Sequence, residues 1–174
     1  MNQLQRCIVW LKRIGHCCGF GIHSPADYAF VRYVLNEHWP YYAYERGDLR
    51  GSWLQRKLGR LYLRLANWRQ PSAMLADEYE EWWRAGCRSI RFEEQLPEHV
   101  ELARAAIEQR DMLGRILNAA DSRSAVVVEG IWRDMAAWRS LINDERVTVS
   151  FDLYYCGILL FADNRHKKNY IVNF

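Results

Sequence analysis

The chain lacks any uncharged apolar run of the about 18 to 20 residues that a membrane-spanning helix needs. Its first apolar run, residues 7–11, lies between Arg6 and Lys12 and is followed by no small-residue cleavage site, so no secretory signal is predicted. The 5 cysteines are odd in number and form no C-x-x-C pair, which argues against a disulfide framework and a zinc ribbon. These absences predict a cytoplasmic protein with reduced thiols and no membrane partner.

Glycine is missing from a stretch where its absence has consequences. None occurs between Gly59 and Gly86, and residues 74–79 within this stretch read M-L-A-D-E-Y. In α/β proteins a glycine-rich turn after the first strand lets the backbone approach a nucleotide cofactor, whose volume a side chain would occupy. Asp77 and Glu78 suit a helix N-terminus, but they would repel the carboxylate of a ligand bound there.

Helices are predicted throughout the first 70 residues. Ser24 and Pro25 are typical of a helix start, with Asp27 at the capping-box position, and this helix is predicted to reach about residue 37. Ser52 and Gln55 form a second capping box at the start of a further helix. The chain also opens with apolar residues at helical spacing, which predict an amphipathic first helix: Leu4, Ile8, Leu11 and Ile14.

From residue 71 onward the pattern alternates between strands and helices. The predicted strands are residues 72–76, 89–93, 124–129, 147–153, 157–162 and 169–174, and the predicted helices are residues 77–85, 98–117 and 131–142. The strands predicted at residues 147–153 and 157–162 are too close in sequence for a crossover helix, so they should pair as an antiparallel hairpin. The order predicts one α/β domain over residues 1–174, with a helical N-terminal cap in residues 1–70 and a mostly parallel sheet in residues 71–174.

Four segments carry a resemblance to a known family. Residues 19–25 read G-F-G-I-H-S-P, residues 41–45 read Y-Y-A-Y-E, and residues 61–70 read L-Y-L-R-L-A-N-W-R-Q. Residues 146–161 are similar to a closing strand hairpin. Together they resemble the class I S-adenosylmethionine-dependent methyltransferases, in particular small O-methyltransferase-like proteins with an N-terminal F-G-I-H-S-P motif. The resemblance implies a Rossmann-like fold, here shortened.

Three departures from that family bear on activity. The glycine-rich cofactor turn is replaced at residues 76–79, and two strand-helix units expected before residue 124 are missing from the predicted elements. Trp132 stands where the family has a histidine that could serve as base or ligand. What the resemblance leaves is Glu93 or Glu94 at the end of the second strand, where relatives use an acid to hold the ribose hydroxyls of S-adenosylmethionine.

Other chemistry is weaker in the sequence. Residues 1–70 carry 11 Lys and Arg against 4 Asp and Glu. The third helix bears four basic residues that could form a nucleic-acid interface: Arg56, Lys57, Arg60 and Arg64. His16, Cys17, Cys18 and His23 lie close together, but adjacent cysteines point apart and no second ligand pair has metal-site spacing, so no metal site is predicted.

The aromatic content points to interaction rather than catalysis. The chain has 8 Trp, 10 Tyr and 6 Phe, and Trp and Tyr stabilise protein interfaces well. The leading hypothesis is therefore a degenerate, catalytically inactive methyltransferase-like protein with no cofactor, acting as a homo-oligomer or beside a methyltransferase-like partner. The alternatives are an active methyltransferase with a rebuilt S-adenosylmethionine site and a nucleic-acid-binding module.

Overall fold

The structure of the protein, a computed structural model, describes residues 3–36, 51–163 and 165–174. The predicted aromatic cluster at residues 41–45 lies outside the described residues. Among the helices of the described part, none has the length and apolar character needed to cross a membrane.

Three helices precede the first strand. α1 spans Gln3–Lys12, α2 spans Pro25–Phe30 and continues as a wider π-helical turn over Val31–Leu35, and α3 spans Trp53–Arg69. A short 3-10 segment, Ile14–Gly19, follows α1. These helices confirm the helical character predicted for the described part of residues 1–70.

The two predicted N-terminal caps are present. The Ser52 hydroxyl accepts a hydrogen bond from the Gln55 amide at 3.2 Å, and the Gln55 side chain accepts one from the Ser52 amide at 2.7 Å. The Ser24 hydroxyl accepts from the Asp27 amide. The Asp27 carboxylate, however, accepts hydrogen bonds from Arg165 and Tyr170 instead of closing a capping box, so it joins α2 to the C-terminal strand.

The strands and remaining helices follow in alternation. They are β1 (Ala73–Leu75), α4 (Glu80–Gly86), β2 (Arg91–Glu93), β3 (Val100–Ala106), α5 (Arg110–Ala119), β4 (Ala120–Glu129), α6 (Met135–Asn143), β5 (Val149–Asp152), β6 (Cys156–Leu160) and β7 (Lys168–Ile171).

The predicted long helix over residues 98–117 is wrong. Residues 100–106 form the strand β3, and only the second half of the segment is helical. The wrong prediction also affected the number of strand-helix units expected to be missing before residue 124. β3 and α5 form one of the two units that the sequence was predicted to lack. Residues 94–99 connect β2 directly to β3.

Two other predicted helices begin later than expected. The helix predicted from residue 77 begins at Glu80, because the Asp77 carboxylate accepts a hydrogen bond from the Tyr79 amide at 2.7 Å and holds a turn. The helix predicted from residue 131 is a 3-10 turn, Ile131–Arg133, followed by α6, whose first turn is capped by Asp134.

The α/β fold class is confirmed. β1 and β2 pair in parallel, and a five-stranded sheet has the order β3-β4-β6-β5-β7. β3 is parallel to β4 and β5 is parallel to β7, while β6 runs antiparallel to both of its neighbours. The predicted hairpin of β5 and β6 is therefore present, inside the sheet, and β7 forms the predicted edge strand.

The sheet carries a hydrophobic core on each face. Ala125 and Val127 of β4 face a core built with α2 and α3, whereas Val126 and Val128 face a core built with α5 and α6. All four side chains are fully buried, which confirms that this strand is covered on both faces. The result is a three-layer arrangement in which the N-terminal helices form one outer layer.

Candidate functional site

The candidate site lies where the chain changes its winding direction. α4, which links β1 to β2, packs in the core that contains α3, whereas α5, which links β3 to β4, packs in the opposite core. β1 lies beside β3, so the two halves diverge from this point. In doubly wound α/β proteins the crevice outside the carboxyl ends of such strands is the usual ligand position.

Arg104 of β3 occupies this crevice. Its guanidinium donates two hydrogen bonds of 2.8 Å to the two carboxylate oxygens of Glu129, at the end of β4. It also donates to Glu78 at 2.7 Å and lies 3.7 Å from the carboxylate of Asp77, both in the segment that follows β1. One buried cation therefore joins three carboxylates from the ends of two strands.

Aromatic side chains also contact the charged cluster around Arg104. The Tyr62 hydroxyl of α3 donates a hydrogen bond to Glu129, and the Tyr62 ring stacks on Trp83 with ring centroids 4.5 Å apart. The Trp83 indole donates to the Asp77 carboxylate at 3.0 Å. The guanidinium of Arg104 lies 4.7 Å from the centroid of the Tyr79 ring. The aromatic side chains and the charged groups thus form one connected network of hydrogen bonds and ring contacts.

Burial sets the electrostatics of this cluster. Burial opposes the charge of Arg104, but the hydrogen bonds and charge of Glu129 outweigh it and raise the pKa of the guanidinium. Burial also raises the pKa of Asp77, although the Tyr79 amide and the Arg104 charge oppose the rise. Burial, followed by the Glu129 charge, raises the pKa of Tyr62 well above its usual value. Tyr62 is therefore a hydrogen-bond donor at neutral pH, not a base.

The predicted ribose-binding acids lie next to this cluster but not in it. Glu93 is the last residue of β2, paired with Leu75 of β1, and Glu94 follows it on the exposed surface. Trp132, in place of the expected histidine, is stacked on Tyr154 with ring centroids 6.2 Å apart. No contact among the described residues joins Glu93 or Glu94 to Trp132 in one site.

The four basic residues of α3 do not form one solvated face. Arg64 is buried and donates hydrogen bonds to the backbone carbonyls of Val34 and Leu35 at 2.6 and 2.9 Å. Lys57 is largely buried, whereas Arg56 is half-buried and Arg60 is exposed. Burial removes Arg64 from the predicted nucleic-acid interface, and the role of the other three residues stays a prediction.

Asp152, the last residue of β5, has structural contacts. Its carboxylate accepts a hydrogen bond from the Tyr154 amide at 2.8 Å, which caps the following turn, and it binds Arg13 at 2.9 Å. Across the described residues no three His, Cys, Asp or Glu side chains are grouped as metal ligands. All five cysteines are free.

Sequence reasoning missed Arg104, the centre of the site. The residue falls in the segment that was predicted as helix, where an arginine indicates only a solvated face. A signal was available, because Leu102, Ala103 and Ala105 form a compact apolar stretch around a single charge, and an isolated charge in such a stretch is typical of a paired, buried group.

Comparison with known proteins adds no family to this geometry. No protein-family model, curated protein or solved structure matches the chain.

Proposed function

We propose that the chain is a degenerate methyltransferase-like protein that no longer binds S-adenosylmethionine and acts as a structural or protein-interaction subunit. The observation that carries this proposal is the Arg104 network, which fills the crevice at the carboxyl ends of β1, β3 and β4 with the protein's own side chains. A cytoplasmic location, with its free cysteines, belongs to the same proposal.

The topology supports a methyltransferase-like ancestry. The doubly wound strand order is 3-2-1-4-5-6, and β2, β1, β3 and β4 lie in the relative positions of strands 2, 1, 4 and 5. The short connection of residues 94–99 leaves no room for a third strand and its helix. The closing hairpin of β5 and β6 agrees with the resemblance of residues 146–161.

The residues present do not fit S-adenosylmethionine at this position. The turn after β1 contains Asp77, Glu78 and Tyr79 where close backbone approach requires glycine. The side chains of Asp77 and Arg104 are each 12% exposed and are engaged with one another. A ligand carboxylate placed there would meet three acids and one arginine that is already paired, so electrostatics oppose its binding.

An interaction role is supported by an apolar face that the chain leaves uncovered. Leu4, Leu11 and Ile14 on and just after α1 are 69, 59 and 54% exposed, so the predicted amphipathic helix turns much of its apolar stripe to solvent. Contiguous exposed apolar surface of this kind marks interaction sites in soluble proteins. The partner that we propose is a second copy of the chain or a methyltransferase-like protein.

Calorimetric titration with S-adenosylmethionine and S-adenosylhomocysteine tests the inactive assignment. We expect no binding up to millimolar ligand. One-site micromolar binding would overturn the assignment in favour of the active methyltransferase. In that case Glu93→Gln and Glu94→Gln, compared with each other, would show which acid holds the ribose, because loss of a carboxylate weakens binding only where it accepts the diol hydrogen bonds.

Sedimentation velocity tests the interaction role. We expect the wild-type chain to self-associate at micromolar concentration and Leu4→Gln/Leu11→Gln to be monomeric. The matched control is Met135→Gln, which alters a partly exposed apolar residue on α6 and should leave association unchanged. A monomeric wild-type chain would remove the homo-oligomer from the proposal and leave the heterologous partner.

A further inference from the structure

A second concave feature lies away from the Arg104 network, between α1 and the C-terminal residues. The cavity has a volume of about 870 Å³, which is within the range of small-molecule sites. Its wall is mainly aromatic and aliphatic. The principal apolar lining residues are Trp10, Trp53, Leu153, Tyr154, Tyr155 and Phe174.

The charged side chains described at the wall of this cavity are all basic. Arg6, Arg13 and Lys57 line it, and the described lining residues include no Asp or Glu. Arg13 is paired with Asp152 from outside the lining, through one terminal nitrogen. The Arg6 guanidinium lies 4.4 Å from the centroid of the Trp53 ring. The described part of the cavity wall is therefore apolar with basic side chains.

Several hydrogen-bond donors at the cavity lack acceptors. The Nε of Arg13 and the Nδ2 of Asn36 are buried without a hydrogen-bond partner. Lys57 extends its ammonium group between aromatic rings, 4.1 Å from the Phe174 centroid and 5.4 Å from the Trp53 centroid. It donates no hydrogen bond to any residue in the described ranges. Buried donors in native proteins are nearly always satisfied, and the Lys57 ammonium at the cavity wall has no acceptor among the described residues, which indicates a missing acceptor.

We propose that this cavity binds a small aromatic carboxylate. Its ring system packs among Trp10, Trp53 and Phe174, and its carboxylate accepts hydrogen bonds from the Lys57 ammonium. The proposal does not depend on the inactive methyltransferase assignment, because none of these residues belongs to the Arg104 network.

The chemistry favours a monocarboxylate over a phosphate. A phosphate carries more charge and more acceptor oxygens, and proteins bind it with several convergent donors or a bidentate arginine. Here Arg13 is already paired with Asp152, and the cation that lies between the aromatic rings is a lysine, which matches one small anionic group attached to a large apolar body. The flat Trp and Phe surfaces favour aromatic over alkyl packing.

The protonation of Lys57 gives the proposal a second readout. Burial, together with the charges of Arg64 and Arg60, lowers the pKa of this ammonium to about 8. Cys156 is the other titratable group that acts on it, and its thiol has a pKa raised by burial. A carboxylate at Lys57 would stabilise the charged form, so binding should take up a proton near pH 8.5.

Titration of the full chain with 2-naphthoate, followed by tryptophan fluorescence and calorimetry, tests the proposal. We expect saturable one-site binding at pH 7 that is at least tenfold tighter than binding of the neutral analogue 2-naphthylmethanol. The affinity for 2-naphthoate should fall at least fivefold between pH 7 and pH 9.5. Decanoate distinguishes an alkyl body from an aromatic one and should bind more weakly.

Two variants locate the site. Lys57→Met should weaken 2-naphthoate binding at least tenfold, and Lys168→Met, on the exposed edge strand, should leave it unchanged. If Lys57→Met is unfolded by circular dichroism, the pH dependence in the unaltered chain decides in its place. Equal affinity for the acid and the alcohol, a flat pH profile, or no binding at millimolar ligand would each overturn the proposal.

Discussion

Arg104 of β3 reaches diagonally across the parallel strands to Glu129 of β4, two residues beyond its register partner Val127, and donates two hydrogen bonds of 2.8 Å to it. Both side chains are largely buried, at 12 and 16% exposure. The pair is bidentate, the geometry in which arginine binds a carboxylate most strongly. Because the pair lies at the end of the sheet where doubly wound proteins bind ligands, its stability bears directly on the proposal that this position holds no cofactor.

Replacement of Arg104 should therefore destabilise the protein strongly. Arg104→Met leaves the carboxylates of Glu129 and Asp77 buried without their cation, and breaking a buried pair in this way costs about 3 to 5 kcal/mol. Urea unfolding at pH 7 measures the loss. Arg104→Met/Glu129→Gln should recover part of it, because the double variant removes the stranded charge.

The matched control for Arg104 is Arg110. Its guanidinium pairs with Asp134 at 2.6 Å, but both side chains are exposed. Exposed pairs contribute about 0 to 1 kcal/mol, so Arg110→Met should have a small effect. Similar losses for Arg104→Met and Arg110→Met would contradict the view that the Arg104 network is a buried structural unit.

Two helix glycines should respond to alanine with opposite signs. A Cβ at Gly86 of α4 would lie 2.1 Å from the backbone oxygen of Leu63 in α3, whereas a Cβ at Gly114 of α5 meets nothing within 4 Å. We expect Gly86→Ala to cost about 2 to 3 kcal/mol, since the backbone of α3 must move. Gly114→Ala should stabilise by about 0.5 to 1 kcal/mol through helix propensity.

Thermal unfolding of both glycine variants measures this difference. Gly86→Ser should also be destabilising, because any Cβ meets the same oxygen. An unchanged midpoint for Gly86→Ala would mean that α3 and α4 are not packed at the separation seen in the structure.

The success of the sequence-based predictions follows from local signals. The capping box of Ser52 and Gln55, the Ser24 cap and the A-V-V-V strand are each set by neighbouring residues, and each is present in the structure. The hairpin of β5 and β6 was predictable because its short connection excludes a crossover. In these places local chemistry and tertiary packing favour the same conformation.

The failure at β3 has the opposite cause. Residues 100–106 read V-E-L-A-R-A-A, mostly strong helix formers, and intrinsic propensity therefore favours a helix. In the folded chain this segment lies between β1 and β4, where small side chains allow helices to pack on both faces. Tertiary context outweighs a propensity of a few tenths of a kcal/mol per residue, and it hides both the strand and Arg104.

The Arg104 network was not predictable for a further reason. Its members come from α3, the turn after β1, β3 and the end of β4, and Arg104 is 25 residues from Glu129 in sequence. Asp77 and Glu78 taken alone have the pattern of a solvated helix start, and Glu129 taken alone is an acid at the end of a strand. The strand order brings these residues together, and it includes β3, which was predicted to be part of a helix.

The link between α2 and the edge strand β7 offers a measurable hydrogen bond. Asp27 is 2% exposed, is bound by Arg165 through contacts of 2.7 Å, and accepts a hydrogen bond of 3.0 Å from the Tyr170 hydroxyl. A hydrogen bond to a charged group contributes about 1.5 to 3 kcal/mol. Tyr170→Phe should therefore lower the free energy of unfolding by about that amount in urea titrations.

Tyr28→Phe is the control for Tyr170→Phe, because Tyr28 is an exposed tyrosine on α2. We expect it to change the free energy of unfolding by less than about 0.5 kcal/mol. If both variants behave alike, the hydroxyl of Tyr170 does not hold the buried carboxylate of Asp27.

The pH dependence of stability should carry the signature of Lys57. Its pKa is lowered from 10.5 to about 8 by burial and by the charges of Arg64 and Arg60, so the folded state binds this proton less tightly than the unfolded state. Below pH 8 the ammonium is charged in both states and the full cost of burying it is present. Between pH 8 and 10.5 the unfolded state holds more protons, so stability rises with pH, and above pH 10.5 this group contributes nothing. From pH 7 to 9.5 this group therefore raises the free energy of unfolding by about 2 kcal/mol.

Lys57→Met lacks this contribution, so its stability advantage over the wild-type chain should shrink by that amount between pH 7 and 9.5. Lys168→Met should follow the wild-type profile. Urea unfolding at pH 7 and 9.5 measures both differences, and parallel profiles for the wild-type chain and Lys57→Met would show that the ammonium is solvated and not held at the wall of the cavity.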